Sequence, residues 1–379
     1  MNYFDTMKLA VESALPNNTV LLDDVGMPSI MVRVPKFYIK DVFPEYKGAE
    51  TDVFPAFIVD GKEVDEVYIS KYQNIVVGER AYSLPGRDPR ALVTYDQALS
   101  YCKAKGKGWH LMSNPEWMAL AFWCKKHGTI PHGNCNFGRD FTDQHEHGIA
   151  SYTYMDSAVK RIGRTLTGSG PATWAHDHTP AGIYDLCGNV WEWVSGLRVK
   201  EGQIQVVKDN DAATNPDMSD TSEAWKAIKA EDGSLVEPAT GEGTLYYDSP
   251  TEGDAQTTDH QYANDVELNT KREHPFYTGD SSTNPYYASN NRAFGTIGKN
   301  ASITTVPDIA KILGVYPVES TADALNGDWF WCRNYGERLP LRGGHWYDTS
   351  RAGVFALNLD HTRLLSTQSV GFRAAFVNL

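Results

Sequence analysis

Apolar and polar residues alternate along residues 29–42, which is the pattern of a strand with one face in the core and the other in solvent. Residues 53–58 and 66–70 are rich in the β-branched and aromatic side chains that strands favour. The N-terminal part of the chain therefore predicts a small sheet.

Two amphipathic helices are predicted after these strands. Residues 94–97 read Thr-Tyr-Asp-Gln, a capping box whose side chains satisfy free backbone N–H groups, and apolar residues then recur at helical spacing until Gly106. Residues 113–116, Ser-Asn-Pro-Glu, repeat the signal, and a second apolar stripe ends at Gly128. We expect both helices to follow the first strands closely.

The character of the sequence changes between residue 199 and about residue 316, where Asp, Asn, Thr, Ser, Gly and Glu dominate. Strand-like residues 202–207 and a short helical pattern at 222–230 indicate that this region is not disordered. We interpret it as a loop-rich insertion on the surface.

The composition, with 41% hydrophobic and 22% charged residues among 379, is typical of a globular protein. A formal net charge of -13 argues against nucleic acid or an anionic membrane surface as partner, because both need a basic patch. The sequence shows neither a signal peptide nor an apolar run of membrane-spanning length, so we predict synthesis in the cytoplasm and no membrane insertion. The cysteines lack the spacing of a disulfide framework or zinc ribbon and are predicted to be mostly buried thiols: Cys102, Cys124, Cys135, Cys187 and Cys332.

Three short motifs look like parts of a packed frame. Gly-Asn-Val-Trp-Glu-Trp at 188–193 places a turn before a strand whose two tryptophans share one face. Arg-Gly-Gly-x-Trp at 342–346 and Gly-Phe-Arg at 371–373 lie near the C-terminus. Because glycines allow tight backbone geometry and aromatic rings favour a core, we assign a scaffold role to Trp191, Trp193, Arg342, Gly343, Gly344, Trp346, Gly371, Phe372 and Arg373.

With the two capping-box segments before them, these motifs stand in an order that resembles the formylglycine-generating-enzyme (sulfatase-modifying factor) family. The resemblance implies an α+β protein with that family's C-type-lectin-like fold, in which two helices pack against small twisted antiparallel sheets and a long loop-rich insertion interrupts the domain. The expected organisation is an N-terminal extension, a lectin-like domain in two pieces and an insertion: residues 1–28, residues 29–198 with 326–379, and residues 199–325.

The enzymes of this family use a pair of cysteines shortly after the Arg-Gly-Gly motif, since oxidation of a substrate cysteine needs thiolates. This chain has no cysteine after Cys332, and residues 345–351 read His-Trp-Tyr-Asp-Thr-Ser-Arg instead. We therefore predict that the protein is not an enzyme.

A narrower resemblance lies in the last forty residues, where a regular frame of glycine, arginine and aromatic residues encloses apparently unrelated side chains. It is similar to the variable proteins of diversity-generating retroelements, in which a template copy mutated at adenines replaces the end of the gene. Within the implied variable region, 342–373, the ligand-binding residues would be those reachable from an asparagine codon: His345, Tyr347, Asp348, Arg351, Asp360, His361, Leu365, Thr367 and Ser369. Gln368 departs from this pattern.

The retroelement resemblance implies a non-enzymatic, phage-encoded receptor-binding protein in the virion, at the tip of a tail fibre, where multivalent display would raise affinity. The implied partner is a host-cell surface protein or glycan. Two alternatives stay open. One is a carbohydrate-binding module of fixed specificity with Trp346 and Tyr347 as stacking platforms, and the other is an oxygen-dependent enzyme with copper or iron near His345 and His361.

No cofactor is expected apart from a structural calcium ion, for which Asn189 and Glu192 are weak candidates because calcium prefers oxygen ligands. The alternative is that Glu192 pairs with Arg342 or Arg373. The His-x-His pairs at 145–147 and 176–178 are better explained as polar loop residues, since no cysteine at metal-site spacing or helical HExxH motif accompanies them.

Overall fold

The computed structural model describes residues 3–238, 243–251, 265–274, 276, 289–321 and 324–379. The helices of these residues are α1 (Tyr3–Ala14), α2 (Ile39–Val42), α3 (Tyr95–Lys103), α4 (Asn114–His127) and α5 (Asp308–Ile312). None of them is long and apolar enough to cross a membrane.

The first sheet is antiparallel and draws its strands from both ends of the chain. The strands before residue 112 are β1 (Asn18–Leu22), β2 (Pro28–Pro35), β3 (Ile58–Val59), β4 (Lys62–Glu63), β5 (Glu66–Ser70), β6 (Ile75–Val77), β7 (Arg80–Tyr82) and β8 (Trp109–Leu111). β1, β2 and β5 pair in that order, and a strand from the C-terminus lies between β5 and β8. The segment 1–28, predicted as an extension, thus supplies α1 and an edge strand to this sheet.

The predicted strands hold in part. In β2 the side chains of Met31, Val32 and Val34 are buried and Arg33 is exposed. The strand ends at Pro35, however, and residues 39–42 form α2. Residues 55–57 form a 3-10 turn rather than a strand, because a proline begins it and has no N–H to give to a sheet.

Both predicted helices are confirmed, with their caps. The Gln97 N–H donates to Thr94 Oγ1 and the Thr94 N–H donates back to the Gln97 side chain. Ser113 and Glu116 exchange the same two bonds at the start of α4, and Gly128 ends that helix in the left-handed conformation. The indole N–H of Trp117 in α4 donates to the Val354 carbonyl at 2.7 Å, so the helix is tied directly to the C-terminal part of the chain.

The remaining strands are β9 (Thr153–Asp156), β10 (Val159–Ile162), β11 (Trp191–Trp193), β12 (Leu197–Lys200), β13 (Gln203–Val206), β14 (Lys226–Ile228), β15 (Leu235–Val236), β16 (Tyr246–Asp248), β17 (Glu267–Asn269), β18 (Asn290–Ala293), β19 (Gly298–Lys299), β20 (Trp329–Cys332), β21 (Glu337–Gly343), β22 (Gly353–His361), β23 (Val370–Phe372) and β24 (Ala374–Phe376). β9 and β10 pair as a hairpin. β24 is the C-terminal strand of the first sheet.

The second sheet joins β11 through β23, 13 strands within the described residues. β11 with β23, β17 with β19, and β20 with β22 are parallel pairs. The expectation of small antiparallel sheets was wrong here, because long connections allow parallel neighbours that a hairpin cannot make. The described chain is therefore a mixed α and β protein with a curled sheet.

The described residues of the region 199–325 contribute to the large sheet and its core rather than forming only a surface insertion. β12 pairs with β21 and β13 continues the sheet from β12. Trp225, Tyr247 and Leu268 of this region are fully buried, and Tyr247 donates to the Val315 carbonyl at 2.6 Å. The helical pattern predicted at 222–230 was wrong, because these residues contribute β14 to the sheet.

A buried ion pair joins the two sheets. Arg373 lies between β23 of the second sheet and β24 of the first, and its guanidinium donates to both carboxylate oxygens of Glu192 in β11, at 2.6 and 2.5 Å. Both side chains are at most 1% exposed. The remaining guanidinium N–H groups donate to the carbonyls of Ser70, Tyr184 and Asp185. Of the two arginines considered as partners of Glu192, Arg373 is the one that pairs.

We expect Arg373→Met to lower the free energy of unfolding by about 3–5 kcal/mol, since it leaves the Glu192 carboxylate buried without its charge partner. Urea unfolding with unchanged slope measures the loss. Arg33→Met is the matched control, because the Arg33–Glu66 pair is solvent-exposed and should contribute about 1 kcal/mol or less. Equal losses in the two variants would contradict this role of the buried pair.

Candidate functional site

The candidate site begins where β21 ends. Gly343 and Gly344 have φ of +91° and +88°, the left-handed region that favours glycine. A side chain on Gly344 would also place its Cβ 2.5 Å from that of Ala352. The Gly343 carbonyl accepts the Gly188 N–H, which ties this turn to the motif before β11. The scaffold role predicted for both glycines has a steric reason.

His345 and Asp348 form a closed turn just after these glycines. The His345 backbone N–H donates to Asp348 Oδ2 at 2.8 Å, and His345 Nδ1 lies 2.6 Å from the same oxygen. Each residue is only 5% exposed. Both were predicted to face a ligand freely, and this was wrong, because the carboxylate is used inside the turn.

Tyr347 is the exposed residue of this segment, with 46% of its surface accessible. Its ring stacks on Phe137 with centroids 6.3 Å apart and lies 4.0 Å from the His345 ring. Phe137 in turn has φ of +52°, and its N–H donates to the Trp346 carbonyl. The Arg161 guanidinium covers the Phe137 ring at 4.7 Å. The loop after α4 and the β9–β10 hairpin therefore support Tyr347.

Trp346, by contrast, is buried, with 4% of its surface exposed. Its ring packs against Tyr152 and Tyr154 at 6.1 Å each, and those two rings stack on each other. The scaffold role of Trp346 agrees with this burial, whereas its alternative role as a stacking platform for a sugar does not.

A row of rings connects this segment to β20. Trp191 lies 6.3 Å from His345 and makes an edge contact with Trp331 at 5.3 Å, and Trp331 lies 6.5 Å from Trp329. We call the row the aromatic belt: Trp329, Trp331, Trp191, His345, Tyr347 and Phe137. Trp329, Trp331 and Phe137 are half-buried and were missed in the sequence. The Trp-Phe-Trp alternation of β20 was a signal that could have found the first two.

The other predicted ligand residues lie at two further places. Asp360, at the far end of β22, is 7% exposed and accepts a hydrogen bond from Ser289, so its predicted exposure was wrong. The neighbouring His361 is largely buried. Burial, with the positive charges of Arg333 and Arg338, lowers its pKa to about 3.

Leu365, Thr367 and Ser369 follow in the connection to β23 and are half-buried, as is Arg351. The Ser369 carbonyl accepts the Trp191 N–H at 2.8 Å, which holds the connection against the aromatic belt. Gln368, the residue that departs from the codon pattern, is anchored by Arg164, which donates to its side chain and its carbonyl.

The calcium candidates are engaged within the protein. Asn189 Oδ1 accepts from the Thr165 N–H at 2.8 Å and from Asn134, and the Glu192 oxygens accept from Arg373 and Gln73. In the described ranges no three His, Cys, Asp or Glu side chains are grouped as metal ligands. These oxygen atoms are therefore poor ligands for a cation.

Three of the five thiols are unfavourable for nucleophilic chemistry. All five cysteines are free and buried, as predicted. Burial raises the pKa of Cys102, Cys124 and Cys332 well above the ordinary value. Because the thiolate is the reactive form, these groups are inert at neutral pH.

Residues 12–234 match the sulfatase-modifying factor enzyme 1-like domain family. This chain belongs to that family. The sulfatase-modifying-factor match contains α3, α4 and the motif at 188–193, and it extends into both regions that were predicted to lie outside the domain. The C-terminal segment that carries Tyr347 lies beyond the matched residues. No curated protein matches the chain.

We expect Trp346→Ala to lower the free energy of unfolding by about 3–5 kcal/mol, because it removes a buried ring that packs against both Tyr152 and Tyr154. Tyr347→Ala is the adjacent control and should cost about 1 kcal/mol or less, since half of this side chain is already in solvent. Urea unfolding of both variants measures the difference. Equal losses would contradict the division of this segment into buried structural residues and exposed residues that can vary.

His361 should make the protein less stable as the pH falls from about 7 to about 4. Its pKa is about 3 in the folded protein and about 6.5 when unfolded, so only the unfolded chain binds a proton in this interval. The stability of the wild type relative to His361→Gln should therefore decrease over this range. Unfolding titrations of both proteins at several pH values test this, and a constant difference would contradict it.

Proposed function

We propose that this chain is a non-enzymatic ligand-binding protein whose C-terminal surface is diversified by a retroelement and recognises a receptor on a host cell. The observation that carries the proposal is the division within residues 342–373. Arg342, Trp346 and Phe372 are at most 4% exposed, whereas Tyr347 is 46% exposed and Arg351 half-buried. Residues of the second kind can change with small effects on stability, while those of the first cannot.

The aromatic belt supports recognition as the activity. Tryptophan, tyrosine and arginine dominate the binding energy of protein interfaces, and rigid rings lose little conformational entropy on binding. The Tyr347 ring is held on Phe137, and the Arg161 guanidinium covers the Phe137 ring. Such a preorganised platform favours binding of a surface patch on a protein or glycan.

The absence of a cysteine pair after the Arg-Gly-Gly motif supports a non-enzymatic role. No cysteine follows Cys332, and burial raises the pKa of the Cys332 thiol itself. The C-terminal segment therefore lacks the cysteine pair with which formylglycine-generating enzymes oxidise a substrate cysteine.

The detailed fold and the location of the protein are proposed from the sequence resemblances and not from a contact in the structure. We propose the C-type-lectin-like fold for the family domain, and a phage tail fibre as the place where several copies act together. The net charge of -13 supports a partner other than nucleic acid.

A carbohydrate-binding module of fixed specificity is the second candidate. It is favoured by the accessible ring of Tyr347 and by the half-buried rings of Trp329 and Trp331. On this alternative the aromatic residues would stay constant among related genes.

Sequencing of this locus across a natural population tests the proposal. We expect substitutions to concentrate at the positions that are exposed or only partly buried: 347, 351, 361, 365, 367 and 369. The buried and bonded positions 345, 348 and 360 should change less often, and Trp346 and Gly353 should stay constant, because changes there would disturb the packing. Substitutions spread evenly along the gene would contradict diversification. Oxygen-dependent conversion of a cysteine peptide to its aldehyde by the purified, copper-loaded protein would instead support the enzyme alternative.

A further inference from the structure

Two thiols lie in contact beneath the ligand-facing segment. Asn134 forms a parallel bridge with Gly188, and the Asn189 N–H donates to the Asn134 carbonyl at 2.7 Å. These backbone contacts bring Cys135 and Cys187 together, and the two residues form a small separate apolar cluster with Ala352. The Cys135 thiol donates to the Asp140 carboxylate at 3.8 Å, the Cys187 thiol lies beside it, and the two residues are only 3% and 5% exposed.

The other three cysteines have different surroundings. Cys102 belongs to the core that contains Trp109 and Trp193, and Cys332 to the core that contains Phe330 and Leu357. The thiol of Cys124 donates to the His176 carbonyl. Each of these three thiols lies apart from the other cysteines, whereas Cys135 and Cys187 share one small cluster.

We propose that Cys135 and Cys187 are a redox-active dithiol that closes to a disulfide when a low-molecular-weight disulfide such as oxidised glutathione is present. In the first step one cysteine loses its proton and attacks a glutathione sulfur, which expels one glutathione thiolate. The second cysteine then attacks the mixed disulfide and expels the other. Two S–H bonds of the protein become one S–S bond, and the two electrons and two protons end on two glutathione thiols.

The reaction should be slow at neutral pH and faster at higher pH. The neighbouring Cys135 thiol, together with burial and the carboxyl groups of Asp140 and Asp328, raises the pKa of the Cys187 thiol well above its ordinary value. The thiolate is the attacking form, so the rate rises as more of it is present. Glutathione must also reach a buried pair of thiols, which requires local opening of the segments that cover Cys135 and Cys187.

The disulfide would act on the segment that carries Tyr347. The Cys135 carbonyl accepts the Thr349 N–H at 2.9 Å, and Thr349 has φ of +58°, a conformation that a β-branched residue adopts only when its neighbours hold it. Ala352, at the end of the same segment, belongs to the same buried cluster as the two cysteines. Oxidation would therefore restrain the residues that support the segment 345–352. This effect does not depend on the proposed function.

The test treats the native, full-length protein at pH 8 with excess oxidised glutathione, or with dithiothreitol as the reduced reference. Free thiols are then alkylated under denaturing conditions, and the peptides are mapped by mass spectrometry. We expect one cross-linked peptide pair containing Cys135 and Cys187, with the other three cysteines alkylated. The proposal is overturned if both cysteines remain alkylated, or if each carries its own glutathione.

Two further measurements test whether the Cys135–Cys187 disulfide affects the segment 345–352. The oxidised protein should unfold at a higher urea concentration, and hydrogen exchange within residues 345–352 should slow, including the Thr349 amide. Cys135→Ser should abolish the cross-link and both changes, whereas Cys332→Ser, the matched control in another core, should keep them. If Cys135→Ser does not fold, the peptide map of the wild type still decides the outcome.

Discussion

The buried ion pair between Glu192 and Arg373 is the interaction on which the rest of the structure depends. Arg373 occupies the single position between β23 and β24, where the chain passes from the second sheet to the first. Its guanidinium holds the Glu192 carboxylate of β11 and three backbone carbonyls at once. Removal of either charge leaves the other buried without compensation, so the two sheets keep one relative arrangement. The candidate site is built on strands of the second sheet and inherits that arrangement.

Arg342 is also buried and also connects separate elements, but its hydrogen-bond partners are an amide side chain and backbone carbonyls rather than a carboxylate. Its guanidinium donates to the Asn114 side chain and to the carbonyls of Leu313 and Gly314, which joins β21 to α4 and to the chain after α5. Burial lowers its pKa to about 9, so it still carries its charge at neutral pH. Both arginines of the C-terminal frame are therefore buried and connect separate elements of the chain through hydrogen bonds. Neither is available to a ligand, although arginine is common in binding surfaces.

The site combines two kinds of residue within one short segment. Gly343, Gly344 and Thr349 hold backbone conformations that fix the path of the chain, and the carboxylate of Asp348 closes the turn between them. Tyr347 projects from this rigid turn onto Phe137. A ligand would meet a ring whose position is set before binding, which lowers the entropic cost of association. The same geometry limits which neighbours can vary, because a residue that closes the turn is not free to choose a ligand.

The sequence by itself determined the features that depend on neighbouring residues. Both capping boxes, the glycine end of α4 and the strand at 66–70 follow from side chains within a few positions of one another, and the motifs in their order indicated the family. Tertiary structure alone decided that Glu192 pairs with Arg373 rather than Arg342. Both arginines belong to motifs of the same predicted frame, and the sequence does not distinguish them as partners of Glu192. It also decided that His345, Asp348 and Asp360 are buried and that Phe137 and Trp331 complete the aromatic belt. These contacts join residues far apart in the chain, and their energies depend on burial and packing that no local pattern of side chains specifies.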